Sequence, residues 1–502
     1  MLYKNISSKV EQRLGNKKYG ALLTMFGKVY FAIISYLNLV IIARLLSIDD
    51  FGVYSFFLSL IPFLVVISSG GSDNILLSLV SNRKSKGKRF FYNTIFSVLL
   101  LILIYSITII FMFLLSSTMV EEIVSIDKYS EVLNIIIWIV LLQVIIIYFR
   151  ALNQSEFLFY EAVFPENLLR PTIMFILVGY IFIFVGSNLY VICISLLISY
   201  LTTTIYVIIR RKDLFVYKNI KQFKFDFQTI KLSQQFMTIQ ILNQASNFVP
   251  VFIMGVFLSS ASIGVFKVAQ QTTILISLIL VSVNMVFAPT IVKLFNENNL
   301  LELQSFYRKI TKWTFIIGGF ISTLVILNAS LIMKVFGEGF QEWSMVLIVL
   351  ALGQLFNAAT GSSGYILLMT KNQRYMIYIS CVQLLIVTIL SLITVKLWGV
   401  YGVAFSVTIG MIIINALSLF LSWKNVGVNP VNNKYIGVFI SIVLTLAIVQ
   451  FLKNVFIHET NIINSVVLSF VYCASYLFLI LRIALTRQER NQLFNIMRVK
   501  IK

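Results

Sequence analysis

Apolar runs of about twenty residues recur along the whole chain, parted by short polar connections. A helix of that length crosses roughly 30 Å of hydrocarbon. Fourteen such helices are predicted near residues 20–45, 52–80, 90–116, 132–150, 168–186, 189–209, 235–258, 264–290, 313–336, 344–369, 375–396, 402–422, 435–452 and 462–484. Composition agrees with the pattern. Of 502 residues 59% are apolar and the mean hydropathy is +0.93, more apolar surface than a water-soluble fold hides. The chain reads as a multi-pass membrane protein.

Charge orients the segments. Forty Lys and Arg stand against nineteen Asp and Glu, a net charge of +21. The basic residues gather in alternate connections: Lys4, Lys9, Arg13, Lys17 and Lys18; "NRKSKGKRF"; "RRKDLFVYKNIKQFKFDFQTIK"; Lys293, Arg308, Lys309 and Lys312; Arg487, Arg490, Arg498, Lys500 and Lys502. The connections between them, "SIDD", "SSTMVEEIVSIDKYSE", "VGSN", "SSASIG" and "GEGFQEW", are acidic or neutral. Cytoplasmic loops collect Lys and Arg, so both termini are expected on the cytoplasmic side. No folded soluble segment backs the basic stretches, so membrane lipids are their expected partners and nucleic acid is not.

Chemistry is sparse. Cys193, Cys381 and Cys473 lie scattered in apolar runs and His458 is the single histidine, so neither a disulfide framework nor a metal site is expected. The first apolar run is too long for a cleavable signal. No loop is large enough for a catalytic domain, and no GxxxxGK[ST] phosphate loop is present. An enzyme, a built-in ATPase and a bound cofactor are therefore not expected. Any work is expected to draw on an H⁺ or Na⁺ gradient.

One phrase occurs twice. "SIDDFGVYSF" at 47–56 and "SSASIGVFKV" at 259–268 share Ser, Gly and Gly-Val-aromatic positions at a constant offset of 212. Both follow an odd-numbered helix, so the repeat is parallel, related by an axis along the membrane normal. The predicted fold is all-α and membrane-integral, with two pseudo-symmetric six-helix lobes and a C-terminal helix pair. The N-lobe is 1–211, a basic cytoplasmic linker 212–234, the C-lobe 235–424, and the last pair with its basic tail 425–502.

"ARLLSIDDFGVYSFFLSLI" resembles the first-hairpin signature of the polysaccharide biosynthesis (Wzx-type) flippases of the multidrug/oligosaccharidyl-lipid/polysaccharide exporter superfamily. "FLSSASIGVFKVAQQ", then Pro289 and "KLFNENNLLELQSFYRKITKW", resembles that family's seventh and eighth helices. "LLMTKNQRYMIYISCVQLLIVTILSLITVKLWGVYGVAFSVTIG" resembles its tenth to twelfth, with an outer turn at Gly399 and Gly402. The resemblance implies a fold like that of the MATE and MurJ-type transporters. It also implies a flippase that carries a polyprenyl-diphosphate-linked oligosaccharide from the cytoplasmic to the outer leaflet of the bacterial plasma membrane, by ion-coupled alternating access. That would serve O-antigen or capsule assembly, beside a polymerase and a chain-length regulator. A multidrug or lipid II exporter of the same superfamily is the alternative. A membrane-embedded polymerase or acyltransferase is disfavoured, because such enzymes use a large outer loop or a membrane histidine.

Charges within spans are costly and mark candidate sites. Lys28 shares a helix face with Thr24 and Ser35. It can serve a diphosphate, or snorkel to the lipid headgroups about 12 Å away. Gln240, Asn243, Gln244 and Asn247 share a face of helix seven by three- and four-residue spacing. They read as cavity lining for sugar hydroxyls, against plain interhelical bonding. Asp73, in "SSGGSDN", is the candidate coupling site for H⁺ or Na⁺, or else a structural anchor. Lys267 with Gln270 and Gln271 can line the exit or reach the surface. Arg44 is read as a surface partner of Asp49 and Asp50, or as a bidentate diphosphate ligand. Pro62, Pro171, Pro250 and Pro289 are candidate hinges.

Overall fold

The structure, a computed structural model, describes residues 16–80, 92–111, 130–186, 188–212, 225, 228–370, 372–431, 433–456 and 462–491. Much of the charge pattern used for orientation lies outside these residues, namely 1–15, 82–90, most of 212–227 and 492–502, and so do His458 and nearly all of 116–131.

The described secondary structure is helical. In chain order the helices are α1 (Asn16–Leu45), α2 (Ile48–Ser69), α3 (Ser72–Val80), α4 (Tyr92–Phe111), α5 (Ser130–Ser155), α6 (Phe159–Val163), α7 (Arg170–Phe184), α8 (Leu189–Arg210), α9 (Gln228–Phe257), α10 (Ser260–Asn296), α11 (Leu300–Leu327), α12 (Ala329–Lys334), α13 (Ser344–Thr360), α14 (Ser363–Met369), α15 (Gln373–Val426), α16 (Asn433–Phe456) and α17 (Ile462–Leu479). A π-helical turn, Phe164–Leu169, joins α6 to α7 without a loop. Helices suit the solvent, since lipid offers no partner to an unpaired backbone group.

Thirteen of the described helical stretches are long and apolar enough to span a bilayer. The longest, α15, is two spans. Gly399 inside it takes φ 56° and ψ −134°, and a Cβ on Gly402 would sit 2.3 Å from the Thr394 carbonyl oxygen. Fourteen segments result among the described residues, one for each predicted.

Boundaries moved where helices outrun their apolar stretch. α9 begins at Gln228 rather than 235, and α11 at Leu300 rather than 313. At the latter start Asn299 Oδ1 accepts from the Glu302 amide at 3.2 Å and its Nδ2 donates to Glu302 Oε2 at 2.7 Å. This cap holds a helix end in water. The second predicted helix is broken in the other sense. α2 stops at Gly70 (φ 55°), Gly71 is also left-handed (φ 72°), and α3 starts at Ser72.

The chain forms two compact units, residues 1–267 and 268–502, and their boundary falls inside α10. In the first unit the two copies of the repeated phrase lie on each other. Asp49 Oδ1 accepts from the amide of Ala261, its counterpart 212 positions on, at 3.2 Å. A Cβ on Gly52 would meet Ser260 O at 1.8 Å, and one on Gly264 would come 3.2 Å from the Gly52 backbone. Glycine is required on both sides of that approach, as small residues are wherever membrane helices pack backbone to backbone.

In the second unit, α11, α16 and α17 bury Phe315, Ile442 and Tyr472. Tyr472 and Tyr476 donate to the carbonyls of Phe320 (3.0 Å) and Ile316 (2.8 Å). Lys312, 5% exposed, pairs with Glu489, which also accepts from Thr486. Burial pushes the Glu489 carboxyl up, but the hydrogen bonds from Lys312 and Thr486 win and hold it below its usual range. Outward side chains such as Ile183 and Phe470 are 70% and 76% exposed, a surface made for acyl chains.

Candidate functional site

The first unit holds charged side chains inside its spans. Gly27 lets α1 approach the α6–α7 segment, where a Cβ would strike Val163 at 2.3 Å. Tyr30 OH bonds Thr172 Oγ1 at 2.8 Å and Asn38 Nδ2 donates to Pro171 O at 3.2 Å. These contacts bring Phe31 to Arg170, whose guanidinium lies 5.4 Å from the Phe31 ring and 4.6 Å from that of Tyr200 on α8. Cations over aromatic faces keep much of their stabilisation away from water.

Arg170 is one end of a chain of polar groups. Its Nη1 donates to Gln143 Oε1 at 2.8 Å, and Gln143 Nε2 donates to Glu166 Oε1 at 3.2 Å. Arg150 Nη1 reaches Glu166 Oε2 at 2.8 Å. The Glu166 and Arg150 side chains are 10% and 34% exposed, so the carboxylate is closed in while one guanidinium has an open side. Lys28, exposed on α1, lies within electrostatic range of Arg150, and so does Asp73. Asp73 stands in the first turn of α3, where the helix dipole favours a carboxylate. It accepts from Gln240 Nε2 of α9 at 2.8 Å. Ser233 on α9 donates to Gly70 O at 2.6 Å, tying α9 to the break in the second span.

These groups share one level. Lys28 and Gln240 lie just inside the start of their spans, Glu166 about two turns from the start of its span, and Arg150 near the end of its own. Because successive spans alternate in direction, all of them fall toward the same side of the bilayer, the side expected to be cytoplasmic.

The residues expected from sequence are spread more widely. Lys28, Asp73 and Gln240 come together here, with Asp73 on Gln240 rather than on Lys28. Asn243 and Asn247 lie exposed on α9, and Asn247 Nδ2 donates to Asn243 O at 3.3 Å. Lys267, half-buried, belongs to the opposite end and donates to Ser59 Oγ at 3.1 Å. Gln270 and Gln271 are half-buried on α10 in the second unit. Arg44 is exposed at the end of α1, Asp49 accepts from the Ala261 amide, and Asp50 accepts from the Ser47 hydroxyl.

Arg150, Glu166, Arg170 and Gln143 were not among the expected residues. The predicted helix at 168–186 puts the run "PENLLRP" at a helix edge, where charge is cheap. Its signal was present: an acid and a base four residues apart, between prolines, with no glycine, serine or aspartate to make a loop.

Residues 18–295 match the profile of the polysaccharide biosynthesis protein family. The chain belongs to that family. A relative, the capsular polysaccharide biosynthesis protein CapF of Staphylococcus aureus, is 23% identical over 177 residues. That match spans 34% of this chain and 44% of CapF, less than half of the relative's length. The fold is shared with a solved structure of the lipid II flippase MurJ in an inward closed conformation, at TM-score 0.72 and 18% identity. That likeness covers 91% of this chain and 98% of MurJ. An inward-facing multidrug resistance MATE family transporter of the MOP superfamily matches at TM-score 0.70 and 13% identity, over 81% and 98% of the two chains. The polysaccharide biosynthesis protein described here thus has the fold of membrane transporters, and its first unit holds Lys28, Arg150 and Arg170 within the spans.

Proposed function

We propose that this protein is a flippase that moves a polyprenyl-diphosphate-linked oligosaccharide from the cytoplasmic to the outer leaflet of the bacterial plasma membrane. It acts in surface polysaccharide assembly, with both termini cytoplasmic. The observation that carries this reading is the grouping of Lys28, Arg150 and Arg170 inside the spans of a polysaccharide biosynthesis protein. Guanidinium groups bind phosphate oxygens in pairs and keep their charge when partly dry. The diphosphate would lodge there from the cytoplasmic side. The amides of Gln240, Asn243 and Asn247 would meet sugar hydroxyls, while the prenyl tail stays in lipid. Export is coupled to an H⁺ or Na⁺ gradient, with the ion bound at Asp73. A polymerase and a chain-length regulator would take up the product.

The test is the leaflet on which the lipid-linked oligosaccharide lies, in cells blocked at later polymer steps and probed with a reagent that reaches only outward-facing sugar. Loss of the protein should trap the intermediate inside, and Arg170→Ala should do the same. If the oligosaccharide still faces outward without the protein, the reading fails. Accumulation of lipid II in its place would mark a lipid II exporter.

A further inference from the structure

Among the described residues, Glu166 is the carboxylate in direct contact with Arg150, one of the guanidinium groups a diphosphate would use. It is 8% exposed and sits on the π-helical turn between Pro165 and Arg170, a geometry found mostly at functional places in helices. Arg150 binds it directly and Arg170 through Gln143. Tyr200 on α8 also lies within electrostatic range of it, while Lys28 on α1 and Asp73 on α3 lie within range of Arg150. The network centred on Arg150 thus holds three cations and two carboxylates.

We propose that Glu166 is a built-in stand-in for the substrate's phosphate charge, displaced from Arg150 and Arg170 when a diphosphate binds and taking up a proton as it leaves them. This rests on the reading above that the ligand carries a diphosphate. A dianion added to the site turns an excess of one positive charge into a deficit of one. A single proton, passed from solvent to a Glu166 oxygen, brings the site to neutrality. Arg150 holds Glu166 through Nη1, so a phosphate that takes the fork containing Nη1 competes with the carboxylate for that nitrogen. A buried carboxylate stripped of its cations is costly, whereas a neutral carboxyl can still accept from Gln143 Nε2. Asp73 is not in the same position, because its direct partner is the Gln240 amide, which the phosphate does not compete for.

The experiment is titration calorimetry of the purified, detergent-solubilised protein with farnesyl diphosphate, near neutral pH, in two buffers of different ionisation enthalpy. The wild type should take up about one more proton per ligand than Glu166→Gln, by linkage. Comparing the two proteins cancels protonation of the free diphosphate, and a phosphorus NMR shift of the bound ligand that matches in the two proteins excludes the ligand as the acceptor. Glu166→Gln, which keeps the shape and loses the competing charge, should bind at least about tenfold tighter. If that variant does not fold, Asp73→Asn takes its place: it should keep the proton uptake of the wild type, and loss of the uptake there overturns the exchange, while the wild type gives the size of the pH dependence. Its affinity for farnesyl methylene-bisphosphonate and for farnesyl diphosphate should rise with acid by up to about tenfold per pH unit beyond what each ligand's own titration gives. Proton uptake that persists in Glu166→Gln, as it would if Asp73 were the acceptor, overturns the exchange. Binding of equal strength in both proteins without uptake overturns it too, and leaves the flippase reading intact. Absence of diphosphate binding in both proteins sinks that reading, and the exchange with it.

Discussion

Each unit breaks an apolar helix at a glycine with left-handed backbone, and the two fill the break differently. In the first, the break at Gly70 and Gly71 sets Asp73 against Gln240, in range of Arg150. In the second, the break at Gly361 (φ 62°) is lined by neutral groups. Tyr307 OH donates to Thr360 O at 3.1 Å and Tyr435 OH to Ala359 O at 2.7 Å. Ser362 bonds Asn284, and Thr360 Oγ1 donates to Asn415 Oδ1 at 3.1 Å. Such hydroxyls and amides satisfy the carbonyls that a broken helix leaves over. The neutral break spends its polar groups on its own backbone. The charged one keeps an arginine with an open side, and a charge kept within lipid needs a use to justify its cost.

The strongest way to sharpen that contrast is to break the charged network on one side. Arg150→Ala leaves Glu166 enclosed, with Gln143 its remaining hydrogen-bond partner among the described residues. It should cost about 3 kcal/mol, the low end for breaking a buried pair because Arg150 is partly open. Replacing both partners, Arg150→Met with Glu166→Leu, should return most of the stability and none of the transport. Thermal unfolding of the purified variants reads the first effect, and the leaflet assay the second. A double variant that still exports oligosaccharide would show the network to be structural.

The two glycine breaks give a middle-sized comparison. Gly71→Ala places a Cβ 2.7 Å from Phe236 Cβ, and Gly361→Ala one 2.5 Å from Thr311 Oγ1, both on left-handed backbone. Each should lose about 2 kcal/mol of stability from backbone strain and crowding. Only Gly71→Ala should also slow transport, because its shift moves Asp73. Equal losses of transport at equal stability would erase the distinction between the units.

The contrast could not be read in the sequence, although its frame could. Runs of Leu, Ile, Val and Phe with short gaps made fourteen spans legible, because bilayer thickness leaves little choice of length. The constant offset of 212 was legible too; that Asp49 would bind Ala261 was not, since an offset states likeness and not contact. The polar stripe on α9 followed from spacing alone, yet its partner Asp73 came from a break at Gly70 and Gly71 that hydropathy runs straight through. "PENLLRP" was misplaced for a related reason. Charges near the edge of an apolar run look like charges in water, and it is packing against α1, α5 and α8 that carries Glu166 and Arg170 inward. What the sequence hid was pairing.

The smallest effect belongs to the neutral break. Asn415→Ala removes the acceptor for Thr360 Oγ1 and an amide that donates to Met411 O at 2.8 Å. The Thr360 hydroxyl still has the carbonyl of Asn357 at 3.1 Å, so little is left unpaired. The cost should be about 1 kcal/mol, that of one neutral hydrogen bond, and export should stay within about threefold of the wild type, the same energy scale. Thermal unfolding and the leaflet assay, run side by side with Arg150→Ala, give both numbers. A collapse of transport in Asn415→Ala at near-native stability would place a ligand in the second unit, and the division between a working break and a self-contained one would have to be redrawn.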